Sequence, residues 1–177
     1  MTGRINAFRT AVVTSLRAMV PQAVSVEPQF GRFNLDELER NSIRCPAIRV
    51  AVLTSKLPPA ASGQQTGALS CAAFIVTDGK DRDEKAWLLA EAVATKLHAG
   101  QMWGLVQLST PEKPSIQPVI SASVKDRGVV IIAVEWNQDI RQLGENLFNE
   151  QGRLLDELWV NGEEIELPSA GGDDGQP

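Results

Sequence analysis

Few residues in this chain have the types and spacing that chemistry needs. The single histidine, His98, falls near the end of a helical pattern, where a protonated imidazole would complement the helix dipole. Alone, it offers general acid or base work no partner. Glu163, Glu164 and Glu166 cluster closely enough to suggest a hard-cation site, yet they flank an Asn161-Gly162 turn and read better as a solvated acidic face. Glu135 beside Trp136 is the remaining candidate, a carboxylate next to an aromatic wall that would serve as a base if its pKa were sharply shifted. Without a second polar group nearby in the sequence, a water-facing strand-end glutamate is the simpler reading. Cys45 and Cys71 have no zinc-ligand spacing, no glycine-rich phosphate cradle precedes a helix, and no Gly-x-Ser-x-Gly elbow occurs. With no tyrosine and one histidine, proton transfer would fall to carboxylates and lysines. The sequence therefore predicts a protein that is not an enzyme, with no cofactor and no metal.

Composition narrows the class further. The 177 residues are 43% hydrophobic and 22% charged, the balance of an ordinary globular domain with its own core. A net charge of -5 argues against sequence-independent phosphate binding. No apolar run is long enough to span a bilayer, and Arg4, Arg9 and Arg17 interrupt the N-terminal segment, so neither a membrane anchor nor a secretory signal is expected. Cytoplasmic synthesis follows.

The elements that must position any site are legible from periodicity. Gly128 to Asn137 forms the strand around which the chain is expected to organise. Val130, Ile132, Val134 and Trp136 face one way and Val129, Ile131 and Ala133 the other, so both faces need cover. A helix from Gly3 to Val20 carries Ile5, Phe8, Val12, Leu16 and Met19 on one stripe. Val24 to Phe30 reads as a short strand that Pro28 places at an edge, and Asn34 as the cap of a brief helical turn through Arg40. Pro46 to Thr54 and Ala68 to Thr77 are strands joined as a hairpin. If they pair, Cys45 and Cys71 are about six residues out of register, near 20 Å apart, too far for a disulfide.

A second helix opens at Asp81, with Glu84 completing a capping box, buries Ala86, Leu89, Ala90, Val93 and Leu97, and stops at Gly100. Trp87 beside that stripe is expected to pack. Val106 and Leu108 begin a short strand, and a cleaner one starts at Pro118, turning at Lys125 to Gly128 into the organising strand. Residues from Asp139 to Glu145 read as a polar excursion. Leu158 to Val160 and Ile165 to Leu167 form a last hairpin around Asn161-Gly162. The expected fold is α+β, a mixed or mainly antiparallel sheet of four to six strands flanked by two main helices, with a long hairpin loop. Residues 1–168 form one domain, and 169–177 a disordered acidic tail.

That loop is the most suggestive surface. Its breaker-rich sequence is too long for a tight turn, which points to partner contact through Leu57, Pro58, Pro59, Gln64, Gln65 and Gly67. Two helices also look too few to cover both sheet faces, so a neighbouring copy is expected to complete the core.

Two patterns carry a family resemblance. They are Pro46-Ala47-Ile48-Arg49-Val50-Ala51-Val52-Leu53, and Val130-Ile131-Ile132-Ala133-Val134-Glu135-Trp136-Asn137-Gln138 followed by Leu143-Gly144, with a helix opening Asp81-Arg82-Asp83-Glu84 between them. With this order of segments the chain resembles the tail-terminator (minor tail) proteins of long-tailed bacteriophages, in particular the Mu-like type, over about Ile5 to Gly144. Glu145 to Pro177 match nothing in that pattern. The resemblance implies an α/β subunit of a hexameric ring on the head-proximal end of the tail tube, which ends tube growth and offers the surface for head-to-tail joining. Its implied partners are itself, the tail tube protein and a neck or stopper protein, with DNA only passing through the lumen and no membrane. Its implied place is the virion neck, after assembly in the host cytoplasm. The alternatives are a head-completion or stopper protein and, in another class, a small ligand-binding or hydrolytic domain with a cleft at Glu135 and Trp136.

Overall fold

The N-terminal stripe winds into helix α1 (Arg4–Met19), which buries Phe8, Val12, Val13 and Leu16. In the computed structural model, residues 3–32, 43–59, 65–119 and 128–144 are described, together with the backbone of Leu158–Val160 and Glu163–Ile165. The chain divides into two units, residues 1–145 and 146–177. The first unit continues with strands β1 (Ser25–Phe30), β2 (Ala47–Lys56) and β3 (Gly67–Asp78), helix α2 (Arg82–Thr95), and strands β4 (Glu112–Pro118) and β5 (Val129–Ile140). These strands form one sheet in the order β1-β2-β3-β5-β4. β1 runs parallel to β2 and every other pairing is antiparallel. The fold is α+β, a mixed sheet with two helices among the described residues. In the second unit β6 (Leu158–Val160) and β7 (Glu163–Ile165) pair antiparallel, with Val160 opposite Glu163. Its second strand begins two residues earlier than the sequence pattern indicates.

The organising strand is β3, not β5. β3 lies between β2 and β5, whereas β5 has β4 outside it. Both carry a two-sided apolar pattern, and pattern alone does not rank strands by position. β5 also runs on through Ile140, where the sequence suggests a polar excursion.

Alternation sends each strand's residues to two different cores. On one face Ile48, Val50, Cys71, Ile75, Ile132 and Val134 join Phe8, Leu16, Ala90 and Val93 in a single cluster, so both helices lie on that face. On the other, Ala47, Val76 and Ile131 form one cluster and Ala51, Ala72, Phe74 and Ala133 another, none more than 4% exposed. Both helices thus leave this second face to other cover, as the sequence pattern suggested. Alanines leave it little apolar area, and Ile43 and Cys45 from the segment leading into β2 pack against it. Arg49 on this face is almost fully buried and is held by Glu27 at 3.2 Å and Ser25 Oγ at 3.1 Å.

Both sheet edges are blunted. The guanidinium groups of Arg9 and Arg17 donate to the carbonyls of Gln29 and Val26, so α1 occupies backbone acceptors of β1, and Pro28 removes a donor. At the far edge β4 carries Pro114 and Pro118. Pro118 ends that strand instead of starting one, although Val119 N still donates to Ile131 O at 2.8 Å. An edge strand tolerates these prolines because its outward positions pair with nothing. The strand predicted beyond Pro118 and the turn from Lys125 lie mostly in residues 120–127, outside the described residues. So do the Asn34 helical turn and the C-terminal tail.

The start of α2 is fixed differently from a capping box. The Asp81 side chain makes no cap hydrogen bond. Thr77 Oγ1 on β3 instead donates to Arg82 O at 2.7 Å, and Arg82 Nη1 reaches Gly128 O at 3.1 Å. The helix closes at Thr95, short of Gly100, which takes φ +84 in the next turn.

Candidate contact surface

Strand direction decides what gathers around the hairpin loop. β1 and β2 are parallel and end where β3 begins, so Phe30, Leu57 and the loop share one end of the sheet. Leu57 is 63% exposed, and Pro58, Pro59 and Gln65 are exposed as well. Gln64 lies outside the described residues. Gln65 is also tied down, its carbonyl accepting from Leu143 N at 3.0 Å. Gly67 is no contact residue: it is buried, opens β3 and pairs with Ile140. A Cβ there would sit 2.6 Å from Leu143 Cδ1 and 2.8 Å from Ser55 Oγ, so both side chains would have to swing aside to admit one. Gly67→Ala is expected to cost about 1 to 3 kcal/mol by overpacking, read as a lowered midpoint in thermal unfolding.

A second segment reaches the same end. Leu108 bridges Ile140 at the end of β5, and Ser109 N donates to Asp139 O at 2.9 Å. The turns before it expose Met102 and Val106, the latter by 71%, while Arg4 Nη2 on α1 holds Val106 O at 2.7 Å. The loop end thus carries four large exposed apolar side chains, Phe30, Leu57, Met102 and Val106. Such a grouping marks an interaction surface more readily than the same residues scattered singly.

The anchor of this irregular segment is Gln138, which is 1% exposed. Its Oε1 accepts from Trp103 Nε1 at 2.9 Å, and its Nε2 donates to Gln101 O at 3.0 Å and Ser109 O at 2.7 Å. Trp103, with φ +53, tilts against Trp136 at a ring separation of 6.2 Å. Backbone groups that no strand or helix pairs are thereby satisfied by one amide. Sequence reasoning missed Gln138 and Trp103. The available signal was parity, since Gln138 shares the inward face of Val134, Trp136 and Ile140.

The chemical candidates are not brought together. Trp136 points into the helix-side core at 2% exposure. Glu135, one residue earlier, projects from the opposite face toward Arg32 at 3.8 Å. The two cannot line one cleft. His98 is exposed beyond the end of α2, with Nδ1 2.9 Å from Ala99 O. Both cysteines are free. Burial pushes the Cys71 thiol up to about 12, keeping it protonated and unreactive. Burial, then the charge of Asp78, raises Cys45. Among the described residues no three His, Cys, Asp or Glu side chains cluster as metal ligands. Glu166 lies outside the described residues, and only backbone is described for Glu163 and Glu164.

A second surface feature sits at the other end of the helix layer. The C-terminal turn of α1 and one side of α2 enclose an apolar groove of about 260 Å³ between Met19, Val20, Pro21, Leu88 and Leu89. Leu88 is 67% exposed on its lip, and Trp87, expected to pack, is 44% exposed on the other flank of α2. Among the described residues no helix is long and apolar enough to cross a membrane. In comparison with known proteins, no family model matches the chain and no match was found among curated proteins.

Proposed function

We propose that this protein is a structural subunit of a long bacteriophage tail, assembling with copies of itself into a ring at the head-proximal end of the tube. The ring ends tube growth and gives the neck a surface to join. The observation that carries the reading is the loop end, where Phe30, Leu57, Met102 and Val106 are exposed together and Gln138 holds the segment bearing two of them. A surface preorganised in this way loses little freedom on docking, which favours association. The quoted motifs fall on structural parts, β2 for Pro46 to Leu53, β5 for Val130 to Gln138 and α2 for the charged helix start. With both sheet edges blunted, subunits meet through side-chain surfaces instead of strand addition. The net charge of -5 suits a lumen that DNA must traverse without sticking. In this role the protein binds the tube and the neck, needs no cofactor and performs no catalysis.

Electron microscopy of tails from a phage lacking the protein tests the proposal. Overlong tubes are expected. Tails of normal length beside unattached heads would instead assign it to the stopper position, and intact virions would remove it from the neck altogether.

A further inference from the structure

Phe30 is 91% exposed, the largest exposure of any big apolar side chain among the described residues. It closes β1, pairing with Val52, whereas the groove lies near Pro46 and the C-terminal turn of α1. From Ala47 to Val52 the sheet rises about 17 Å, so Phe30 does not reach the groove of its own chain. The groove, about 260 Å³, is small for most organic ligands, which occupy roughly 300 to 1,000 Å³, but ample for one aromatic ring with its neighbours. Charge at the groove is mixed, since Lys85 lines it while Glu84 and Glu91 stand one turn either side of Leu88 on the exposed side of α2. Arg32, close behind Phe30, is paired with Glu135 of its own chain at 3.8 Å. Size and apolar character, not charge, match the two features.

We infer that Phe30 of one copy inserts into the groove between α1 and α2 of the next. A knob at one end of the subunit and its socket toward the other make a head-to-tail contact. Repeated, that contact closes a ring or grows a filament, according to the rotation between copies. An exposed aromatic entering an apolar pocket is the kind of anchor that dominates interface energy. The inference deepens the reading above and takes from it only the choice of a second copy as partner.

Sedimentation velocity across a concentration series tests it, using the full chain and the variants Phe30→Ser and Leu88→Arg. Each variant is expected to weaken self-association by about thirtyfold or more. Mixed in equal amounts they are expected to form a dimer of one of each, which grows no further, because only one intact knob and one intact groove remain. Thermal melts check folding, and Phe30→Ala with Leu88→Ala give the same comparison should either first variant melt early. Assemblies unaffected by both variants overturn this contact and leave the ring reading standing. Weakened variants that fail to complement each other also overturn it. A wild-type chain that stays monomeric throughout sinks both.

Discussion

Gln138→Leu is expected to lower the stability of the first unit by about 3 kcal/mol and its melting temperature by roughly 10 °C. The side chain is 1% exposed, and its amide meets Trp103 Nε1, Gln101 O and Ser109 O at once. Leucine fills nearly the same volume, so the loss isolates the polar part. One donor and two carbonyl acceptors would be stranded where water reaches them poorly, each costing about 1 kcal/mol or more. The damage should be local first, because the other ties of the segment from Gln101 to Ser109 are single hydrogen bonds near its ends. They include the Arg4 contact to Val106 O, the bridge at Leu108, and the bonds from Ser109 N to Asp139 O and from Arg141 N to Gln107 O. Hydrogen exchange is expected to show that segment opening before the strands do. A loss under about 1 kcal/mol in chemical denaturation would mean the amide is not the anchor described here.

Trp136→Ala is expected to cost more, about 3 to 5 kcal/mol, through the cavity it leaves. The indole is 2% exposed and packs in the helix-side cluster against Trp103. The conservative change separates volume from polarity. Among the described residues Trp136 Nε1 is buried with no hydrogen-bond partner, so Trp136→Phe deletes an unsatisfied donor while losing part of the ring. The two effects oppose, and a net change within about 1 kcal/mol is expected. Trp103→Phe is the contrast, since it removes a donor that Gln138 uses. Gln138 and Trp136 share Trp103 as a neighbour, so their combined loss should depart from the sum of the singles in a double-mutant cycle. Equal costs for Trp136→Phe and Trp136→Ala would show that the indole N–H has a partner after all.

What was legible in the sequence follows from the physics of each element. Helix α1 was readable because its stripe repeats at 3.6 residues and Pro21 follows its end. β2, β3 and β5 were readable because apolar alternation persists over many residues, and the β6–β7 turn because Asn-Gly selects a two-residue hairpin. Features that depend on tertiary partners were not. The start of α2 is held by Thr77 from β3 instead of the Asp81 and Glu84 capping pattern, and no local rule anticipates that. Pro114 and Pro118 looked like punctuation because a proline in a strand is tolerable only at an edge, and the edge is a property of the sheet. Nothing local marks Gln138 as buried, because a polar residue near a strand end is usually solvated. Its partners lie 29 to 37 residues away in sequence. The loop itself was recognisable from its breakers, but Gly67 was assigned to it, whereas it is buried and opens β3 against Ile140.

The same limits bear on the argument for assembly. The sequence suggested that an uncovered sheet face would require a neighbouring copy. Both helices do lie on one face of the sheet, and the case for self-association rests on the apolar loop end and the groove at the helix layer. Both are specific surfaces, and each has an exposed residue whose replacement leaves the core untouched.

The most direct measurement is negative-stain imaging of the purified, full-length protein at concentrations where specific contacts saturate. The account predicts closed rings of uniform diameter, which break down when the loop end is disrupted by Leu57→Asp and Val106→Asp together. A field of single, separate subunits at every concentration, with mass to match, would contradict it.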